Sequence, residues 1–211
     1  MENSWPTLRP MALARPRGAH RFEAFSLKLA RRLTLYRSSA LQQWILLEAT
    51  PSVETFCERP GYLFIDGRKI LADFWVRNAD RNELVILSEN KTVDDELLTD
   101  GATLEIPELS IRRVEPAELI ASRVWINNWR SMLPCLIANR RLHTRSLSDS
   151  VLGFLSQPNR LADIERQFTT GDPVLVRAAL FGLLHEGRVS APELHSQPLS
   201  LRTPFVAGET T

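Results

Sequence analysis

Residues 72–91 read ADFWVRNADRNELVILSENK, and this stretch determines the fold that the sequence predicts. The run from Leu84 to Leu87 is apolar without a break, which is typical of a strand buried on both faces of a sheet. A turn around residues 78–82 separates this run from an earlier β-like segment, in which Asp73 opens a strand. The centre of the predicted sheet therefore lies in two neighbouring strands near the middle of the chain.

The elements predicted around these strands alternate between helix and strand. Apolar residues recur at helical spacing from Ser39 to Glu48, and Pro51 is expected to end that helix. The other predicted elements are β-like runs at 53–58, 62–65, 69–76, 103–106 and 110–114, a turn at Asp66-Gly67, a short helix at 94–98 and a helix that Pro116 opens. This order predicts an α/β layer architecture.

A different pattern begins near Asn139. Three short helices are predicted, one capped by Ser148 or Asp149, one from Leu161 to Phe168, and one from Asp172 to Glu186. The segment RVSAPEL that follows resembles a short strand or wing. Three short helices and a hairpin are typical of a winged helix-turn-helix domain.

Composition places the chain in a broad class. With 44% hydrophobic and 24% charged residues, it has the composition of an ordinary soluble globular protein. Its apolar runs are shorter than the roughly 20 residues that span a bilayer, and its N-terminus lacks the pattern of a signal peptide. We therefore expect a cytoplasmic protein with no membrane partner, in which Cys57 and Cys135 are reduced, buried thiols.

Positive charge is concentrated in the first part of the chain, although the formal net charge is only +1. Residues 1–47 hold eight basic groups and only two acidic ones, Glu2 and Glu23. The basic residues are Arg9, Arg15, Arg17, Arg21, Lys28, Arg31, Arg32 and Arg37. Such a segment can lie along the phosphates of a nucleic acid, and a solvated basic arm explains the charge equally well.

Two carboxylates and one ammonium are expected to converge at the edge of the predicted sheet. Glu89 and Lys91 lie two residues apart after the buried strand, so their side chains emerge on one face, and strand pairing can bring Asp73 beside them. Asp73, Glu89 and the carbonyl of Asn90 offer the hard oxygen ligands that Mg²⁺ prefers, with Mn²⁺ as an alternative.

This set of residues fits the cleavage of a phosphodiester. A metal ion polarises the phosphate and generates the nucleophile, while Lys91 orients water or offsets the charge that develops in the transition state. Only three of the 26 basic residues are lysines, which suggests that lysine at position 91 serves chemistry rather than generic charge. The competing explanation is that charged residues are common at strand ends and carry no catalytic role.

The chain resembles the TnsA-like transposon endonuclease family. The resemblance covers roughly residues 20–138 and rests on three ordered blocks, SSALQQWILLEATPSVETFCERP, GRKILADFWV and ELVILSENK. It implies a PD-(D/E)xK restriction-endonuclease-like fold, with a mixed sheet flanked by helices, followed by a small winged-helix domain. It also implies that Asp73, Glu89 and Lys91 match the family's catalytic blocks.

The same resemblance implies a biological role and partners. These are cleavage of one DNA strand at the ends of a transposon, alongside a DDE transposase subunit and an AAA+ regulator ATPase. The implied organisation is a basic N-terminal arm over 1–35, a nuclease domain over 36–138, a winged-helix domain over 139–200 and a C-terminal tail over 201–211.

One position departs from the family pattern. Gln42 stands where the family's helix carries a glutamate, and a neutral amide is a weaker metal ligand than a carboxylate. The site then operates with two carboxylates, recruits Glu48 or another acid, or is degenerate, or the block is aligned one residue out of step.

Two further functions remain open at this point. A TnsA-like subunit that has lost catalysis would keep the fold to bind DNA and partner proteins, and Gln42 favours it. A winged-helix transcriptional regulator with a ligand-binding N-terminal domain would leave Asp73, Glu89 and Lys91 without a role. The third helix of the winged-helix segment offers few polar side chains for base edges, which favours packing or protein contact there.

Overall fold

The fold is taken from a computed structural model that describes residues 8–65, 67–79, 81–88, 110–142, 144–169 and 172–208. The chain divides into two compact units. The first unit comprises residues 1–44 and 52–120, and the second comprises residues 45–51 and 121–211. The predicted helix at 94–98, the predicted strand at 103–106 and the turn residue Asp66 lie outside the described residues.

The first unit is built on a mixed four-stranded sheet. Its elements are β1 (Arg21–Ser26), β2 (Arg31–Tyr36), α1 (Ser38–Ala49, shared with the second unit), β3 (Val53–Glu58), β4 (Tyr62–Ile65), β5 (Arg68–Leu71), β6 (Phe74–Asn78), β7 (Asn82–Leu87), β8 (Ser110–Val114) and α2 (Pro116–Ala121). The sheet order is β3-β6-β7-β8, with β7 and β8 parallel and the other pairs antiparallel. The predicted α/β class is confirmed at this level.

Strand β7 is buried on both faces, as its apolar run predicts. Leu84 and Ile86 join a core cluster that also contains Cys57 and Trp75. Val85 and Leu87 point to the opposite face and are also almost fully buried. Because both faces are covered, a shift of the strand by one residue would not expose its apolar side chains, so the polar residues at its ends must help to set its register.

The predicted strand over 69–76 is divided in two, because the backbone changes partners at Asp73. The amide of Ala72 donates to the carbonyl of Gly61, which keeps it within the β4–β5 hairpin. The amide of Asp73 donates instead to the carbonyl of Val85, and its carbonyl accepts from the amide of Arg59. The β4–β5 hairpin is therefore an extension of β3 and β6 that leaves the main sheet at this point.

An antiparallel β1–β2 hairpin occupies residues 21–36, where the sequence analysis assigned no element. Its strands lie in the segment expected to be part of a basic arm, and Leu33 and Leu35 are buried. In β2 the buried leucines alternate with Arg32 and Thr34, so the period of two was present, but it covers only a few residues of a strongly basic segment. Residues 8–20 contain no helix or strand.

The second unit is mainly helical and carries a small antiparallel sheet. Its elements are α3 (Arg123–Asn139), α4 (Arg145–Phe154), β9 (Asn159–Arg160), α5 (Leu161–Phe168), α6 (Val174–His185), β10 (Val189–Ser190), a 3-10 turn (Pro192–His195) and β11 (Pro204–Ala207). The sheet order is β10-β11-β9. Residues 201–211 were expected to be a tail, but β11 is the central strand of this sheet.

Helix α4 starts at a different residue from the one predicted, and helix α6 agrees with one of the two explanations given for its apolar sequence. Helix α4 begins at Arg145 rather than at Ser148 or Asp149, because the hydroxyl of Thr144 accepts a hydrogen bond from the amide of Leu147 and caps it. The apolar side chains of α6, among them Leu180 and Phe181, are buried within their own unit. The apolar character of α6 therefore reflects packing.

In the parts of the chain that the structure describes, no helix combines the length and the apolar character needed to cross a bilayer.

Gly187 and Gly153 form a matched pair for a test of the second unit. Gly187 ends α6 with a φ of +75°, and a Cβ there would lie 2.8 Å from the Cβ of Pro51. Gly187→Ala should therefore lower the free energy of unfolding by about 2 kcal/mol, from the left-handed backbone and the clash together. Gly153→Ala in α4 meets nothing within 4 Å and should raise it by about 0.5–1 kcal/mol.

Urea denaturation of the full chain measures both changes. Equal effects of the two substitutions would contradict the left-handed ending of α6.

Candidate active site

Asp73 joins two segments of the first unit through hydrogen bonds of both its backbone and its side chain. Its backbone pairs with Arg59 on one side and Val85 on the other. One carboxylate oxygen, Oδ2, accepts a hydrogen bond of 2.7 Å from the amide of Leu87. The carboxylate therefore lies at the carboxyl end of β7.

The other predicted catalytic residues follow directly along the chain. Glu89, Asn90 and Lys91 lie outside the described residues, so their convergence with Asp73 stays a prediction. The described part of the site nevertheless places the Asp73 carboxylate against Leu87, two residues before Glu89. This is the strand end at which the sequence analysis expected the group to assemble.

A small cavity of 50 Å³ lies beside Asp73. Its walls come from the arm, the end of β2, the start of α1, the end of β3 and the β5–β6 junction. The residues that line it are Leu13, Pro16, Leu35, Tyr36, Arg37, Ala40, Glu58, Arg59, Leu71, Asp73 and Phe74. A space of this size holds an ion and a few water molecules but not a nucleotide.

Glu58 also borders the cavity, but it is bound to an arginine. Its side chain is almost fully buried, and both oxygens accept hydrogen bonds from Arg31, at 2.8 and 2.5 Å. The hydrogen bonds to Glu58 raise the pKa of the Arg31 guanidinium. A bidentate pair of this kind holds the carboxylate as a structural counter-ion. The role of Glu58 therefore differs from the metal-binding role predicted for Asp73.

Arg59 adds positive charge to the same wall, and the sequence analysis did not single it out. Its guanidinium donates to the carbonyls of Thr34 and Met11, at 2.6 and 3.2 Å, and lies 5.7 Å from the centre of the Tyr36 ring. Arg59 also has a φ of +47°, at the point where the chain leaves β3. It ties the irregular segment around Met11 to β2 next to the candidate site.

Helical spacing puts a different glutamine from the expected one on the side of α1 that Ala40 occupies, although neither glutamine is among the residues that line the cavity. Ala40 lines the cavity, and a residue three positions along a helix lies on the same face, whereas one two positions along does not. Gln43 thus shares the face of Ala40, while Gln42 is half-buried elsewhere on the helix. Gln43 is almost fully buried, and its Oε1 has no hydrogen-bond partner among the described residues.

Glu48, which the sequence analysis considered as a substitute ligand, is occupied within the second unit. Its side chain is fully buried, and its carboxylate lies 3.2 Å from Nε2 of His185. Burial of a carboxylate requires a partner of this kind. The pairing with His185 therefore explains the buried glutamate at position 48.

Neither cysteine is suited to nucleophilic catalysis. Burial raises the pKa of the Cys57 thiol to about 12, and burial also raises the pKa of Cys135. The nucleophilic form of cysteine is the thiolate, which is scarce at neutral pH when the pKa is raised. Cys135 borders a larger cavity of 570 Å³ in the second unit, where Arg177 is held 2.5 Å from Glu165.

The donors beside the cavity fit a hard dication in part. Asp73 supplies one carboxylate beside the cavity, and Gln43, which does not line the cavity, has an amide oxygen with no hydrogen-bond partner among the described residues. Within the described residues, no group of three His, Cys, Asp or Glu side chains is close enough to hold a metal ion. The predicted Mg²⁺ site depends on Glu89 and Asn90 for the rest of its ligands.

Comparison with known proteins adds no assignment: the sequence matches no family model and has no significant match among curated proteins.

The Arg31–Glu58 pair can be tested independently of any activity. Arg31→Gln leaves the buried Glu58 carboxylate without its bidentate partner and should lower the free energy of unfolding by about 3 kcal/mol. Arg32→Gln on the exposed side of β2 should change it by less than about 0.5 kcal/mol. The double change Arg31→Met with Glu58→Leu should recover most of the loss.

Chemical denaturation at neutral pH measures these three variants. A loss for Arg31→Gln no larger than that for Arg32→Gln would show that Glu58 does not need the pair.

Proposed function

We propose that this chain is a Mg²⁺-dependent DNA endonuclease, the subunit of a heteromeric transposase that cleaves one strand at the transposon ends. In this proposal the first unit has a restriction-endonuclease-like fold and the second is a winged-helix domain. The observation that carries it is the Asp73–Leu87 hydrogen bond, because it places a carboxylate where β7 leads into Glu89 and Lys91.

The topology of the first unit supports the proposed nuclease fold. Helix α1 precedes three antiparallel strands, β3, β6 and β7, and β8 then joins β7 in parallel. A parallel neighbour requires a crossover of about a dozen residues or more, and the chain between Leu87 and Ser110 is long enough for one. This order accounts for the mixed sheet expected from the TnsA-like resemblance.

Glu89 follows Leu87 by two residues in the sequence, and the Leu87 amide binds the Asp73 carboxylate. We propose that Glu89 joins Asp73 at this strand end. Bound Mg²⁺ would polarise the scissile phosphate and lower the pKa of the attacking water. In this proposal Asp73 and Glu89 hold the ion, the Asn90 carbonyl contributes a further oxygen, and Lys91 orients the water and offsets charge on the phosphate.

The element order of the second unit supports the winged-helix proposal. Helices α4, α5 and α6 are followed by β10 and β11, and the short β9 pairs with β11. Helix α6 would be the recognition helix, but most of its side chains are buried, and Arg177 is paired with Glu165. Few polar groups are left for base edges, so we propose that this unit docks the DDE transposase or the AAA+ regulator ATPase.

Asp73→Asn tests the metal-dependent activity. The amide oxygen can still accept from the Leu87 amide, so the fold should be kept, but the charge that attracts the ion is lost. We expect nicking of transposon-end DNA by the chain with its transposase in Mg²⁺ to fall at least about a hundredfold. Asp163→Asn on the exposed surface of α5 is the matched control and should keep full activity.

Calorimetry of Mg²⁺ binding to the chain without the transposase distinguishes the loss of a metal ligand from the loss of assembly with the transposase. Full activity of Asp73→Asn would overturn the proposed site.

Glutamate substitutions at positions 42 and 43 test which of the two positions corresponds to the glutamate of the family's helix. We expect Gln43→Glu to raise Mg²⁺ affinity and cleavage, because position 43 shares the face of Ala40, and Gln42→Glu to have a smaller effect. Without metal, the buried carboxylate of Gln43→Glu should lower the melting temperature, and Mg²⁺ should restore it.

A larger gain from Gln42→Glu would support the alignment expected from the sequence. If neither variant nor the unaltered chain nicks DNA with the transposase in Mg²⁺ or Mn²⁺, the catalytically degenerate architectural subunit becomes the better conclusion. The buried amide at position 43, where a carboxylate would bind metal more strongly, is the observation that favours that alternative.

A further inference from the structure

The β4–β5 hairpin presents two faces of opposite character. Leu63, Ile65 and Ile70 lie on one face and pack against the core cluster of the first unit. Phe64 and Lys69 are directly opposite each other in the register and share the other face. One face therefore anchors the hairpin, and on the other face Tyr62 is buried while Phe64, nearer the turn, is exposed.

Phe64 is not needed to anchor the hairpin. Its exposed fraction is 63%, which is high for an aromatic side chain, whereas its neighbour Leu63 is only 8% exposed. A single exposed apolar residue is common on protein surfaces, but here Phe64 shares its face with the cationic Lys69. Arg68 pairs with Ile65, so it lies on the opposite face at the turn end of the hairpin. Arg68 is exposed on the next position of the hairpin, and the Lys69 ammonium lies 4.6 Å from the centre of the Tyr62 ring.

Residues 8–11 of the basic N-terminal segment are attached at the base of the same hairpin. Leu8 packs against the core cluster together with Ile65 and Ile70. Met11 exchanges hydrogen bonds with Arg59, from its amide to the Arg59 carbonyl and from the Arg59 Nε to its own carbonyl. Arg9, between these two anchors, is exposed. Lys69 beside Phe64 and Arg68 at the turn therefore give this end of the hairpin positive charge, against the single acidic residue Asp66 in the hairpin sequence.

We infer that the β4–β5 hairpin is a DNA-binding ribbon, in which Phe64 contacts bases or sugars of duplex DNA while Arg68 and Lys69 contact phosphates. A two-stranded ribbon fits the major groove, and aromatic side chains contribute apolar contact with bases there. The positive charge matches the phosphate backbone and argues against an apolar protein partner. The inference rests on the proposed action on DNA and adds a contact surface to it.

Salt dependence distinguishes the two kinds of contact. Phosphate contacts release counterions, so the loss of one reduces the slope of log Kd against log salt by about 1, whereas an apolar contact leaves the slope unchanged. Phe64→Ala should therefore weaken binding about tenfold at every salt concentration with the same slope. Lys69→Ala should weaken binding mainly at low salt and reduce the slope by about 1.

The experiment measures fluorescence anisotropy of a labelled transposon-end duplex with the full chain in the absence of divalent metal. Leu142→Ala is the control for Phe64→Ala, because Leu142 has the same exposed fraction of 63% in the second unit. Arg166→Ala, at an exposed position of α5, is the control for Lys69→Ala. Both controls should bind like the unaltered chain, and all variants should unfold at the same urea concentration.

Equal affinities for Phe64→Ala and Leu142→Ala would overturn the inference and leave the proposed nuclease intact. If Phe64→Ala binds DNA normally but no longer assembles with the transposase, the hairpin is a protein-docking element and the inference is also overturned. If the unaltered chain binds no duplex DNA, both the inference and the proposed function fail.

Discussion

The hydrogen bond between the Asp73 carboxylate and the amide of Leu87 is the interaction on which the rest of the first unit depends. A polar side chain next to buried strands is stable only when its hydrogen bonds are made, so Asp73 holds β6 and β7 in one register. This contact matters because β7 is apolar on both faces, so the pattern of its own side chains specifies the register poorly. The same contact directs a carboxylate toward the end of the strand, so fold and candidate chemistry share one residue.

Charge near this point is arranged so that Asp73 and Glu58 have different roles. Glu58 is almost fully buried and bound by two hydrogen bonds to Arg31, whereas Asp73 is partly exposed beside the cavity. A bidentate arginine satisfies a carboxylate and withdraws it from metal binding. Arg59 holds the arm and β2 next to the cavity through backbone carbonyls. The site is thus surrounded by residues whose hydrogen bonds serve the scaffold, and Asp73 provides the carboxylate suited to a ligand role.

Much of the local structure was predictable because it follows from short-range patterns. Helix α1, strands β3 and β4, the buried strand β7 and helix α5 lie within a residue or two of their predicted bounds. The hairpin of β1 and β2 was missed because its apolar alternation covers only a few residues of a strongly basic segment, and β11 was missed because its partners lie in other parts of the sequence. The period of a side-chain pattern is local information, whereas the partner of a strand is not.

The sequence by itself determined the α/β class, the central strand and the extended segment that contains Asp73, because apolar periodicity and turn residues act over a few neighbours. Only the tertiary structure decided the roles of the polar groups, because a hydrogen bond depends on which distant backbone atoms meet. It joined Asp73 to Arg59, Val85 and Leu87, paired Glu58 with Arg31 and Glu48 with His185, and placed Ala40 of α1 at the cavity beside Asp73. Sequence spacing lists the polar residues that are available, and long-range packing selects which of them are satisfied internally.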